Sequence, residues 1–261
     1  MKLNFRQYSE QGDPLVILHG LFGSLKNWNF HARELASQFA VYSLDLRNHG
    51  DSPHENSMTY PVMAEDVLEF LDAREIRQAH ILGHSMGGKV AMQLALDQPR
   101  RVNKLLVVDI APVRYEKNRG DHEDVFLGLA AVEPETLASR AEADEVLGRF
   151  IDEPEVRQFL LSSLVHNKSG GYRWRFNLTA LKSNYDNLRD KPDADKPCEG
   201  DVLFVKGALS NYIQEQDRKE IMALFPAAKV KIVMGAGHWV HAQKPQVFNK
   251  IAREYFMAQG Q

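Results

Sequence analysis

The chain has 261 residues, 32 basic against 35 acidic side chains for a formal charge of −3, and is 44% hydrophobic and 26% charged. These proportions are those of an ordinary globular protein and exclude a disordered one. The near-neutral balance argues against a general nucleic-acid binder, which carries a basic face. No apolar run approaches the roughly 18 residues of a membrane span. The single cysteine, Cys198, allows neither an internal disulfide nor a multi-cysteine metal site. The mixed, polar stretch Met1–Gln7 lacks the apolar segment of a secretory signal, so a cytoplasmic location is expected.

Short apolar runs alternate with helical patterns. In chain order, strands are expected at Lys2–Tyr8, Leu15–Leu18, Val41–Leu46, Ala79–Leu82, Lys104–Ile110, Val202–Val205 and Lys229–Val233. Several are apolar without interruption, such as Leu105-Leu106-Val107-Val108, the pattern of strands covered on both faces in a parallel sheet. Helices are expected at Ala64–Ala73, at Gly88–Asp97 with Pro99 as its stop, and at Gln246–Met257. Strand–helix alternation of this kind makes an α/β fold with a mostly parallel central sheet flanked by helices. It breaks between Pro112 and Cys198, where helical patterns carry no convincing strand. A structureless loop of that length is improbable in a compact domain. The expected layout is therefore a core over residues 1–111 and 199–261 with a helical cap inserted over 112–198. In open α/β folds ligands bind at the C-terminal edge of the sheet, which such an insertion would roof.

The strongest chemical signal is Gly83-His84-Ser85-Met86-Gly87, between an expected strand and an expected helix. This is the G-x-S-x-G nucleophile elbow in the context it requires. The sharp turn holds Ser85 above the sheet, and side chains at the two flanking glycines would collide with neighbouring backbone. A serine hydroxyl needs a base at neutral pH. His238 follows the last expected strand, in Gly235-Ala236-Gly237-His238-Trp239, and comes late, as the chain order serine, acid, histidine requires. His241 is a competitor three residues on. His84 adjoins Ser85, but neighbouring side chains on a sharp turn diverge.

The acid is the unusual position. The customary place, a Gly-x-x-Asp stretch after the penultimate strand, reads Gly207-Ala208-Leu209-Ser210, and serine carries no charge. Asp109, at the end of the strand expected beside the elbow strand, is the alternative acid. Strands about 4.8 Å apart keep it within reach of the histidine. The competing reading of Asp109 is a turn cap. Acyl transfer also needs donors for the developing oxyanion. The backbone N–H of Met86 and that of Leu21, in His19-Gly20-Leu21-Phe22-Gly23-Ser24, are assigned to it. The stretch Asp45–Pro53 is read as a hydrogen-bonded loop buttressing the site rather than as a metal site, because His49 and His54 lack partners at ligand spacing. No dinucleotide fingerprint or phosphate loop is present. Neither a metal nor an organic cofactor is expected.

These stretches, with Val108-Asp109-Ile110-Ala111-Pro112, Trp174-Arg175-Phe176-Asn177 and Gly235–Ala242, resemble the α/β-hydrolase superfamily over nearly the whole chain. Within it they are most similar to the small bacterial esterases of the YbfF type. The resemblance implies a serine esterase or acyl-thioesterase, acyl-CoA included, that works through an acyl-enzyme. It supports Ser85, Asp109 and His238 as the triad. Phe22, Trp174, Phe176 and Trp239 are candidates to line the substrate pocket, ordinary cap core being the other reading of Trp174 and Phe176. The expected partner is a small acyl ester or thioester. Arg173 and Arg175 are either contacts for a phosphorylated leaving group or a solvated face. The alternatives are a carbon–carbon bond hydrolase or elimination lyase on the same scaffold, disfavoured by Ser210, and a binding protein that keeps the fold without turnover.

Overall fold

The computed structural model describes residues 1–116, 119–168 and 170–258. Seven strands form the central sheet: β1 (Phe5–Gln7), β2 (Asp13–Leu18), β3 (Phe39–Leu44), β4 (Ala79–His84), β5 (Val102–Val108), β8 (Asp201–Gly207) and β9 (Lys229–Val233). Their order is β1-β3-β2-β4-β5-β8-β9, and only β1 runs antiparallel, against β3. This is the mostly parallel α/β sheet read from the sequence. The first strand is shorter than expected, three residues rather than seven.

Alternation along each strand divides the core in two. On one face Val16, Leu18, Ile81 and Val107 pack with α2 (Tyr60–Ala73) and α3 (Met86–Asp97). On the other, Leu15, Ile17, Leu82 and Leu106 pack with α1 (Asn29–Leu35) and α11 (Pro245–Met257). The remaining core helices are α9 (Arg218–Leu224) and the single turn α10 (Val240–Gln243). The strands between two helical layers are buried on both sides, which is why their sequences are continuously apolar.

From β2 the chain steps to β3 on one side and then to β4 on the other. The topology therefore reverses between β2 and β4, the place where such sheets open a crevice at their C-terminal edge. Leu18 pairs with Gly83, His84 with Val108 and Val108 with Val205, so the ends of β2, β4, β5 and β8 lie abreast.

Between β5 and β8 the chain leaves the sheet for five helices: α4 (Glu123–Ala131), α5 (Arg140–Leu147), α6 (Pro154–Leu161), α7 (Leu178–Ser183) and α8 (Tyr185–Arg189). The expectation of an insertion without strands needs correction. β6 (Leu164–His166) and β7 (Tyr172–Trp174) form an antiparallel hairpin within it. Three-residue strands are too short to show a period of two in sequence.

Candidate active site

Ser85 stands between the last residue of β4 and the first of α3, with φ 52° and ψ −121°. The helix begins two residues earlier than the sequence suggested. The flanking glycines have a steric cause. A Cβ on Gly83 would lie 2.2 Å from the carbonyl oxygen of Gly87, and one on Gly87 would lie 2.5 Å from those of Leu18 and His19. The elbow therefore packs bare backbone on bare backbone. The N–H of Ser85 donates to Val108 O at 3.0 Å, which ties the turn to β5. Met86 is the first residue of α3, so its N–H has no partner within the helix and lies at the positive end of the helix dipole.

Asp109 continues β5 with φ 50° and is fully buried. Its N–H donates to Val205 O at 2.9 Å. Its carboxylate takes three donors. Oδ1 accepts the Gly207 N–H at 2.9 Å, and Oδ2 accepts His238 Nδ1–H at 2.9 Å together with the Ser210 hydroxyl. Ser210 thus has a partner: from the position where an acid was customary it donates to the Asp109 carboxylate. With Nδ1–H committed to Asp109, the Nε2 of His238 is left as the proton acceptor. Tyr212 stacks on the His238 ring at 3.8 Å between centroids and 20° between planes. The sequence reading missed Tyr212. Its only signal was its place in the loop after β8.

His84 is engaged elsewhere, its Nε2–H donating to His238 O at 3.1 Å. Burial holds its pKa well below 6.5, so the ring is neutral. His241 stacks on Trp28 at 4.3 Å and 13°, and its Nδ1 has no hydrogen-bond partner among the described residues. Of the three histidines, only His238 meets a carboxylate.

The loop after β2 presents Leu21. The N–H groups of the four residues that follow it are engaged: Phe22 on His49 Nε2 at 3.2 Å, Gly23 on Gly20 O at 3.0 Å, Ser24 on Asn27 Oδ1 at 2.7 Å and Leu25 on Asp45 Oδ1 at 2.8 Å. Among the described residues the Leu21 N–H has no partner. The loop after β3 supplies much of this support, as its buttressing role required. His19 Nε2 accepts the Leu46 N–H at 3.0 Å, and His49 Nδ1–H donates to Arg47 O at 2.9 Å. An acceptor histidine must be neutral. Burial first, then the nearby His19, pushes the His49 pKa down to about 3. No group of three or more metal-ligating side chains occurs among the described residues.

Ser85, His238, Leu21, Phe22 and Trp239 line one cleft of about 760 Å³. Its outer wall comes from the insertion, through Phe150, Phe159 and Leu160 among others. Trp174 and Phe176, expected to line the pocket, line neither this cleft nor the smaller cavity beside it. They stack on each other at 5.3 Å and 12°, with Phe176 edge-on behind Phe22 at 5.3 Å. Flat aromatic surface is buried more fully against other rings than against a solvent-filled cleft. His122, also unforeseen, lies at the neck of the cleft with Nδ1 2.9 Å from the Tyr185 hydroxyl. Burial, reinforced by His238, lowers its pKa to about 4.

The family model described as alpha/beta hydrolase fold matches residues 13–245. The esterase YbfF of Escherichia coli strain K12 is 39% identical over 262 residues, 98% of this chain and 99% of that protein. The sn-1-specific diacylglycerol lipase ABHD11 of Xenopus laevis is 43% identical over 91% of this chain and 77% of its own length. Among solved structures, a marine microorganism esterase superposes with a TM-score of 0.95 at 41% identity, covering 97% of this chain and 99% of that one.

Proposed function

The chain belongs to the α/β-hydrolase family and is a hydrolase of the esterase/lipase kind, and we propose that it cleaves carboxylic esters through an acyl-enzyme on Ser85. The hydroxyl of Ser85 attacks the acyl carbonyl while His238 Nε2 takes its proton. The developing oxyanion accepts the N–H groups of Leu21 and Met86. His238 then gives the proton to the leaving-group oxygen as the C–O bond breaks. In the second half the same Nε2 activates water, which releases the acid. Asp109 holds the His238 tautomer and stabilises the imidazolium. The observation that carries this reading is the 2.9 Å contact between His238 Nδ1 and Asp109 Oδ2, in a histidine that lines the same cleft as the elbow serine.

Thioesters share this chemistry, but the wall charge favours uncharged leaving groups over coenzyme A. The cleft is lined by the carboxylates of Asp121, Asp124, Asp152, Glu153 and Glu155, and by no lysine or arginine among the described residues. Arg175 is buried in a pair with Asp51 at 2.7 Å, away from the cleft. A polyanion would approach against that field.

The test is hydrolysis of p-nitrophenyl acetate and acetyl-CoA by the wild type and by Ser85→Ala. We expect ester turnover that drops by at least about 10⁴-fold in the variant, the scale of nucleophile loss in other serine triads. Undiminished turnover in Ser85→Ala, with the variant folded, would refute the acyl-enzyme.

A further inference from the structure

Ser85 stands at the junction of two unequal spaces. One is the open cleft of about 760 Å³; the other is a pocket of about 40 Å³. They share Ser85, Leu21, His122 and Tyr212, so they meet at the nucleophile. His238 lines the large cleft and not the small pocket. That asymmetry orients the substrate. In acylation the proton taken from Ser85 must pass from His238 to the leaving-group oxygen as its bond to the acyl carbon breaks. The leaving group therefore lies on the His238 side, in the large cleft. The acyl chain, on the other side of the carbonyl, points into the small pocket, beside Leu21 and Met86.

The pocket's size and chemistry then define the acyl group. Water needs about 10–15 Å³ of such volume, so this space takes about three non-hydrogen atoms. Its polar side chains turn their polar ends to the protein. Lys89 Nζ donates to Val113 O at 2.8 Å, to Arg189 O at 3.1 Å and to Asp190 O, which uses all three of its protons. The hydroxyl of Tyr60 donates to Leu188 O at 2.6 Å, and that of Tyr115 to Tyr212 O at 2.6 Å. What faces the pocket is mainly ring and aliphatic surface. From this geometry we infer that the enzyme takes short, unsubstituted acyl groups of two to three carbons, acetyl or propionyl, esterified to bulky uncharged alcohols.

This inference rests on the serine-ester reading but fails separately from it. The wild type is assayed on p-nitrophenyl esters from acetate to decanoate, then on acetates of ethanol, benzyl alcohol and 2-naphthol, with Ser85→Ala as control. Expected is a kcat/KM greatest at acetate or propionate that falls at least about tenfold by hexanoate, with no loss as the alcohol grows. Leu188→Ala, which removes a wall of the small pocket, should move the optimum to butyrate or longer. A wild-type optimum at hexanoate or beyond, abolished by Ser85→Ala, overturns the orientation and leaves the hydrolytic reading standing. Turnover that persists in Ser85→Ala overturns both. The wild-type profile decides the matter even if Leu188→Ala does not fold.

Discussion

The sheet edge and the insertion above it are built by different means. At the edge, four described residues other than glycine are held at positive φ: Phe22 at 62°, Asn48 at 63°, Ser85 at 52° and Asp109 at 50°. Each such residue costs on the order of 1–3 kcal/mol and persists only where the surroundings over-determine it. Here the surroundings are parallel strands buried on both faces. Within the insertion, no described residue other than glycine has a positive φ. Its helices run five to nine residues, against 14 for α2 and 13 for α11. Helices that short are not stable alone, so the insertion depends on what it touches. The difference teaches that the site groups sit on strained backbone that the sheet over-determines, whereas the roof is held by apolar residues that join the core on the α2/α3 face and by side chains reaching across to main-chain carbonyls.

That contrast can be broken at several points. The largest effect is expected at the edge. Asp109→Asn keeps the size of the side chain but no longer holds Nδ1–H, and kcat should fall by about 10⁴-fold as in other triads that lose their acid. A folded variant with near-full activity would remove Asp109 from the mechanism.

Next comes the tie between the two regions. Lys89, in the elbow helix, is buried and donates to carbonyls just after β5, at Val113, and at the end of α8, at Arg189 and Asp190. Lys89→Met keeps the volume and strips three donors from part-buried carbonyls. We expect a loss of about 3 kcal/mol and faster tryptic cleavage within residues 112–198, read by denaturant titration and mass spectrometry. Wild-type stability and protection in this variant would make the lysine mere filler.

The loop after β3 should show itself through acid. The His49 pKa is about 3 when folded against its ordinary 6.5. The unfolded chain therefore binds its proton first. The stability from keeping His49 neutral is complete above pH 6.5 and is lost as pH falls towards 3. At pH 5 the loss is about 2 kcal/mol. Urea midpoints at pH 7 and pH 5 should show it as part of a larger acid loss to which the depressed His84 and His122 also contribute, and His49→Gln should shrink the difference by its own share. An equal acid slope in the variant would assign the effect elsewhere.

The smallest effect is expected from Ser210→Ala. Asp109 would keep the Gly207 N–H and His238 and lose only the hydroxyl. A cost of roughly 1–2 kcal/mol in stability, with less than a tenfold change in kcat, should follow. A collapse of activity like that of Asp109→Asn would make the serine a full partner of the acid.

The elbow was legible because a short run of residues states its whole requirement: glycines where backbones touch, a serine between them, a strand before and a helix after. His238 and Asp109 were legible by their place at the ends of strands, since parallel strands bring every C-terminal end to one edge. Trp174 and Phe176 were misplaced for the opposite reason. An aromatic residue in an insertion says that it will be buried, not whether a neighbour's ring or a substrate buries it. Tyr212 left only its place in the loop after β8 as a signal and His122 left none, because what brings them to His238 and Ser85 is the meeting of two loops 90 residues apart.

The sequence by itself determined the α/β layers, the parallel sheet, the elbow turn around Ser85 and the order in which Ser85, Asp109 and His238 follow along the chain. These depend on local periodicity and on turns whose steric demands lie within a few residues. Only the tertiary structure decided the three donors on Asp109, the part played by Ser210, the ring stacked on His238, and the two unequal spaces on either side of Ser85. Those are contacts between segments far apart in the chain. Their geometry follows from how the insertion settles on the sheet edge, and no local pattern encodes it.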